Sequence, residues 1–253
     1  MTKNLYTMFV LTILLLYLSY LDAEVDIGSI LTNSVFRLQV GTSEGTGFLV
    51  KESGETFLVS AGHMLSKELP YPKSVAARLT QIDEDSWGAS YYDLIPLIAV
   101  NAGEWDVAIF KFKDGAPLES VPLKLYREGS FLGKEVLAIG CSTGYAPRAT
   151  FGYVGFAYSL GLEFSADVSY GCSGGPLILK DTGEVIGIIS RIGLSGSNEQ
   201  MNLLDTKDLE FGRRFPVYHV GFASPISQAR SLIEALTLPK KILPMSPFSI
   251  LLD

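Results

Sequence analysis

Short apolar runs of strand length, each closed by a glycine, a proline or a polar turn, recur almost to the end of this chain, and that rhythm restricts its fold more than any single residue does. Ser34 to Val40 alternates apolar and polar side chains, and Gly45 to Val50 and Thr56 to Ser60 are two runs joined by Glu52-Ser53-Gly54, the signature of a β-hairpin. Runs at Ser74 to Thr80, Leu94 to Val100 and Val107 to Phe112 follow. Beyond them come Glu135 to Gly140, Ala149 to Tyr158, Glu163 to Val168, Pro176 to Lys180, Glu184 to Ile192 and Tyr218 to Ala223. Asp181-Thr182-Gly183 supplies a turn between two of these. Such spacing predicts an all-β barrel or sandwich. Gly115 to Gly133, with Pro117, Pro122 and few apolar positions in register, reads as a connection between two halves, with a boundary near residue 120. A clear helix is expected only at the end: Ser224 as N-cap, Pro225 at the first helical position, and Ile226, Ala229, Leu232, Ile233 and Leu236 on one face. The tail 239–253, with Pro244 and Pro247, shows no pattern that assigns it a role.

The length of 253 residues allows one large domain or two modest ones. A net charge of −7 without a Lys/Arg cluster argues against nucleic acid as a partner. Leu5 to Leu21 is an apolar run behind Lys3 and ahead of Asp22, Glu24 and Asp26, the charge order of a segment entering a membrane with its N-terminus inside. Residues 1–23 therefore read as a signal peptide or an N-terminal membrane anchor, with Leu21-Asp22-Ala23 a passable cleavage site. The body of the protein is expected to be exported: secreted, periplasmic or anchored facing away from the cytoplasm. Cys141 and Cys172 are the only cysteines, and in an oxidising destination a lone pair is expected to form a disulfide. Two His and two Cys scattered from 63 to 219 do not make a zinc pattern, so neither a metal nor another cofactor is expected.

Chemistry concentrates at Gly171-Cys172-Ser173-Gly174-Gly175-Pro176. A serine between glycines on a tight bend presents its hydroxyl beside backbone N–H groups, and those of Gly171 and Ser173 are candidate donors to an oxyanion. A serine hydroxyl hardly ionises near neutrality and needs a base. The hexapeptide alone also fits an ordinary glycine-rich turn, so the base has to come from elsewhere. His63 stands just past the run ending at Ser60, and Asp106 stands immediately before the apolar run from Val107, where a carboxylate is either a surface cap or the partner of an imidazole. His63, Asp106 and Ser173 would then act as base, orienting acid and nucleophile.

Gly45-Thr46-Gly47-Phe48, Ser60-Ala61-Gly62-His63, Asp106-Val107-Ala108-Ile109, the Gly171 to Pro176 stretch, Gly183-Glu184-Val185-Ile186-Gly187-Ile188 and Gly221-Phe222-Ala223-Ser224-Pro225 complete the pattern. In that order the chain resembles the trypsin-like serine proteases, and among them the HtrA (Deg) branch, from about Val35 to Leu236. The resemblance implies two six-stranded antiparallel β-barrels, about 30–120 and 121–238, with a C-terminal helix and the active site between them. It also implies a serine endopeptidase working on protein or peptide through an acyl-enzyme. Two departures stand out. Cys172 precedes the serine where trypsins carry an Asp that pairs with a new N-terminus, and only a short tail follows where HtrA proteins usually carry a PDZ domain. In related folds the loops of Cys141 and Cys172 lie side by side, which fits the expected disulfide. Alignment to the fold puts Asp167 on the floor of the substrate pocket, Ser190 on its wall and Gly221 at its mouth. A buried Asp167 would select Arg or Lys, whereas the HtrA branch favours small aliphatic residues.

Two other readings compete. Gly171-Cys172-Ser173-Gly174-Gly175 also satisfies G-x-S-x-G, with Asp205 and His219 following in the order of an α/β-hydrolase esterase. That elbow requires a helix after the serine, and Gly174-Gly175-Pro176 breaks one. The other is a catalytically inactive binding protein that kept the protease fold.

Overall fold

A computed structural model of the protein describes residues 25–66, 75–80, 89–102, 105–158, 161–195 and 215–238, together with Met8. Apart from Met8, the expected signal or anchor segment lies outside them, as does the tail 239–253.

Six strands make the first barrel: β1 (Val35–Val40), β2 (Ser43–Glu52), β3 (Glu55–Ser60), β4 (Val75–Thr80), β5 (Ala89–Ala102) and β6 (Trp105–Phe112). They close in the order β1-β2-β3-β6-β5-β4, with β4 returning antiparallel to β1. The second barrel is β7 (Glu135–Gly140), β8 (Arg148–Tyr158), β9 (Gly161–Phe164), β10 (Pro176–Leu179), β11 (Val185–Ser195) and β12 (Phe215–Pro225), closed as β10-β11-β12-β9-β8-β7. The fold is thus two six-stranded antiparallel β-barrels with a C-terminal helix. The α/β-hydrolase alternative is overturned: the chain leaves Ser173 into strand β10, antiparallel to both β7 and β11.

The β2–β3 hairpin shows how the local sequence dictates this. Ser53 and Gly54 both take positive φ (53° and 83°), which lets two residues reverse the chain with the twist its strands need and pairs Glu52 with Glu55. Some boundaries differ from the pattern. β5 starts well ahead of Leu94, because its first residues pair along all of β4. β9 runs Gly161–Phe164 rather than onward to Val168. A first helix, α1 (Ile27–Asn33), was not visible as a pattern; Asp26, read as a flanking acid, caps it by accepting from the Ser29 N–H at 3.0 Å. A single helical turn, α2 (His63–Ser66), follows β3. The last helix, α3 (Ile226–Thr237), begins later than expected: Ser224 is still paired to Ile188 in β12, and Pro225, with ψ at 139°, is the residue where the chain turns.

The connection 113–134 hands the chain from one barrel to the other within three residues, Leu123 bridging to Val50 of β2 and Leu125 to Val185 of β11. Around that crossing lies a core that belongs to both barrels. Phe48, Val50, Val59 and Ile109 from the first meet Leu137, Ile139, Val185 and Ile188 from the second, with Ile226, Ala229 and Ile233 of α3. Each barrel has its own core besides.

Candidate active site

His63 opens α2 directly after β3, and Asp106 is the second residue of β6, two strands that lie side by side in the first barrel. Their meeting is double: the His63 backbone N–H donates to Asp106 Oδ1 at 2.7 Å, and His63 Nδ1 lies 2.8 Å from Asp106 Oδ2. Asp106 is only 2 % exposed. Burial alone would raise its carboxyl, but the His63 ring hydrogen bond, the charge of His63, the Ser190 hydroxyl and the His63 backbone N–H outweigh it and hold the carboxyl below its usual value. Asp106 thus holds the ring through Nδ1, with the other nitrogen on the side away from the carboxylate.

Ser173 comes from the second barrel, on the turn before β10, and close approaches that only glycine permits seat this turn against the first barrel, beside the segments that flank His63. A Cβ built on Gly45 would stand 2.7 Å from the sulfur of Met64, the neighbour of His63, and 3.0 Å from the carbonyl oxygen of Ser173. A Cβ on Gly174, whose φ is +87°, would stand 2.1 Å from Ser60 Oγ and 2.8 Å from Ala61 N, on the segment leading to His63. Neither the N–H of Gly171 nor that of Ser173 has a hydrogen-bond partner among the described residues, while the Tyr170 carbonyl is held by Thr143 N at 2.6 Å. Gly171, at φ +89°, has no room for a side chain, since a Cβ would lie 2.3 Å from the Cys141 carbonyl oxygen.

Four expectations meet a different or more specific arrangement in the structure. Ser190, expected on a pocket wall, is buried, with its hydroxyl donating to Asp106 Oδ2. Gly221 was placed at the pocket mouth, but its open side is filled by the Phe164 ring, 2.4 Å from where a Cβ would be. Asp167 is exposed rather than a buried floor, because its neighbours Ala166 and Val168 are the residues that pack on the second barrel's core. Cys141 and Cys172 are both free and buried rather than bonded to each other. Burial pushes the Cys141 thiol up to about 12 and that of Cys172 upward too, so both stay protonated near neutrality and leave the hydroxyl beside them as the turn's nucleophile candidate.

Of the second serine-hydrolase set, Asp205 lies outside the described residues and His219 falls on β12. What sequence reasoning missed is Thr46. It appears only as one letter of Gly45-Thr46-Gly47-Phe48, yet it is fully buried where the barrels meet, with its hydroxyl donating to the Gly171 carbonyl at 2.6 Å and accepting from Cys141 N at 2.8 Å.

Residues 45–188 match the trypsin-like peptidase domain model. The chain belongs to that family. It is similar to Serine protease HTRA3 of Homo sapiens, 29% identical over 180 residues that cover 66% of this chain and 37% of the relative. It is also similar to Serine protease HTRA1B of Danio rerio, 30% identical over 172 residues covering 61% and 32%. The chain thus spans about a third of the length of these curated relatives. Among solved structures, a serine endoprotease from Yersinia pestis superposes with a TM-score of 0.57 at 18% identity, over 82% of this chain and 65% of that one. The Rv3671c protease of M. tuberculosis, as its Ser343Ala mutant in an inactive form, gives 0.55 at 18%, over 87% and 94%. At such identities these two speak for the fold.

Proposed function

We propose that this trypsin-like peptidase family member is a serine endopeptidase that cleaves protein or peptide substrates outside the cytoplasm. The observation that supports the reading is the doubly bonded His63–Asp106 pair in one barrel, together with the Ser173 turn of the other packed against Thr46, Ser60 and Ala61 of the first. Ser173 Oγ attacks the scissile carbonyl carbon while His63 takes its proton, and the N–H groups of Gly171 and Ser173 hold the oxyanion. His63 then returns the proton to the leaving amine, and water hydrolyses the acyl-enzyme by the same route. Asp106 keeps the imidazole in the required tautomer and stabilises the imidazolium. Location outside the cytoplasm rests on the apolar run Leu5 to Leu21 and its charge order.

Fluorophosphonate treatment followed by intact mass tests the assignment. A single adduct on wild-type protein, absent from Ser173→Ala, is expected. His63→Ala should lower turnover of labelled casein on the order of a million-fold, with the double mutant hardly worse, and Asp106→Asn on the order of ten thousand-fold. Wild-type protein that takes no adduct and cleaves no casein would point instead to the non-catalytic binding role.

A further inference from the structure

Consecutive peptide planes of the Ser173 turn alternate between two states of restraint. The 170–171 and 172–173 planes each have a tied carbonyl, Tyr170 O by Thr143 N at 2.6 Å and Cys172 O by Gly175 N at 2.9 Å, while their N–H groups, those of Gly171 and Ser173, have no partner among the described residues. The 171–172 and 173–174 planes are pinned at both ends. Cys172 N donates to Ser169 O at 3.1 Å and Gly174 N to Ile189 O at 2.7 Å. Their carbonyls share a single holder, Thr46: its hydroxyl donates to Gly171 O at 2.6 Å and its backbone N–H to Ser173 O at 2.8 Å.

From this alternation we propose that Thr46 is a positioning residue for the hydrolysis proposed above, on which this inference rests, and that its hydroxyl sets the direction of the two oxyanion N–H groups. A peptide plane in a glycine-rich turn rotates about its flanking Cα atoms at little steric cost. Rotation of the 171–172 plane would turn both of its neighbours, and the Thr46 hydroxyl is what resists it from the carbonyl side. The same oxygen accepts from Cys141 N at 2.8 Å and so anchors the start of the loop whose Thr143 N–H holds the Tyr170 carbonyl. One buried hydroxyl therefore acts on both donors, on Gly171 through the 141–143 loop and on Ser173 through the Gly171 carbonyl. It belongs to the first barrel and the donors to the second, so it also ties the oxyanion site to the barrel that carries His63.

The test compares Thr46→Val, which keeps the shape and loses the hydroxyl, with Thr46→Ser, which keeps the hydroxyl. Turnover of fluorescent casein is measured per active enzyme, with active enzyme counted by fluorophosphonate adduct mass. Thr46→Val should lower kcat on the order of ten- to a hundred-fold with KM within about threefold, and Thr46→Ser should stay within about threefold of wild type. The fluorophosphonate inactivation rate should fall with kcat, because the phosphoryl oxygen occupies the same donors. If Thr46→Val does not fold, Thr46→Ala takes its place. A folded hydroxyl-less variant that turns over as fast as Thr46→Ser overturns the proposal, as does failure of both hydroxyl-less variants to fold, which would make the group a folding requirement. An inert wild type would instead strike the protease reading beneath it.

Discussion

At the scale of single residues, Asp106 is where stability and chemistry meet. A carboxyl held below its ordinary value in the folded protein stabilises the fold at pH values above the unfolded pKa near 3.8, and that contribution is lost as pH falls through the folded value. The stability difference between wild type and Asp106→Asn should therefore change below about pH 4, with a slope of up to about 1.4 kcal/mol per pH unit. Urea denaturation across pH 2.5–6 measures it, and a difference flat throughout would refute the depressed carboxyl. Ser190→Ala removes a donor to that charge, so it should cost on the order of 1.5–3 kcal/mol at pH 7 and move the acid limb to higher pH. The His63–Asp106 pairing was legible because both residues leave local marks, a histidine past a strand and an acid where a core strand begins, as the candidate Ser173 does among its glycines. Ser190 was seen without its contact to Asp106, and Thr46 was not singled out. Their partners lie 84 and 125 positions away, a separation no local pattern encodes.

Among the elements, glycines separate two kinds of constraint. Gly54 and Gly174 have nearly the same φ, +83° and +87°, but nothing lies within 4 Å of a Cβ on Gly54 while three atoms lie within 3 Å of one on Gly174. Gly54→Ala should cost about 1 kcal/mol from backbone strain alone. Gly174→Ala, which adds a clash with Ser60 Oγ and the Thr46 carbonyl, should cost more than about 3 kcal/mol or prevent folding. Denaturant midpoints of the two variants test this, and equal costs would contradict the close approach. The strands were legible wherever one face is buried and the period of two shows, as in β1 with Gln39 exposed between buried Leu38 and Val40. Their ends were less so. β12 carries on through Ser224 and Pro225 because β11 still offers them pairing, and that overrides a good capping sequence.

Over the whole molecule, the core shared by both barrels and α3 predicts that neither barrel melts alone. Trp105 on β6 reports the first barrel by fluorescence and far-ultraviolet circular dichroism reports all strands, so their thermal transitions should coincide. Ile233→Ala, in a helix that follows the second barrel in sequence, should cost on the order of 2–5 kcal/mol and lower both signals together. Two separated transitions would refute the common core. The division of labour between barrels also has a consequence for biosynthesis. A ribosome delivers His63 and Asp106 first and Ser173 only later, and the contacts that seat the serine turn against the first barrel need β10 and β11 as well. On the proposed mechanism a half-made chain carries a base with nothing to activate, and the nascent protein would be harmless to itself and its neighbours until its second half has emerged and docked.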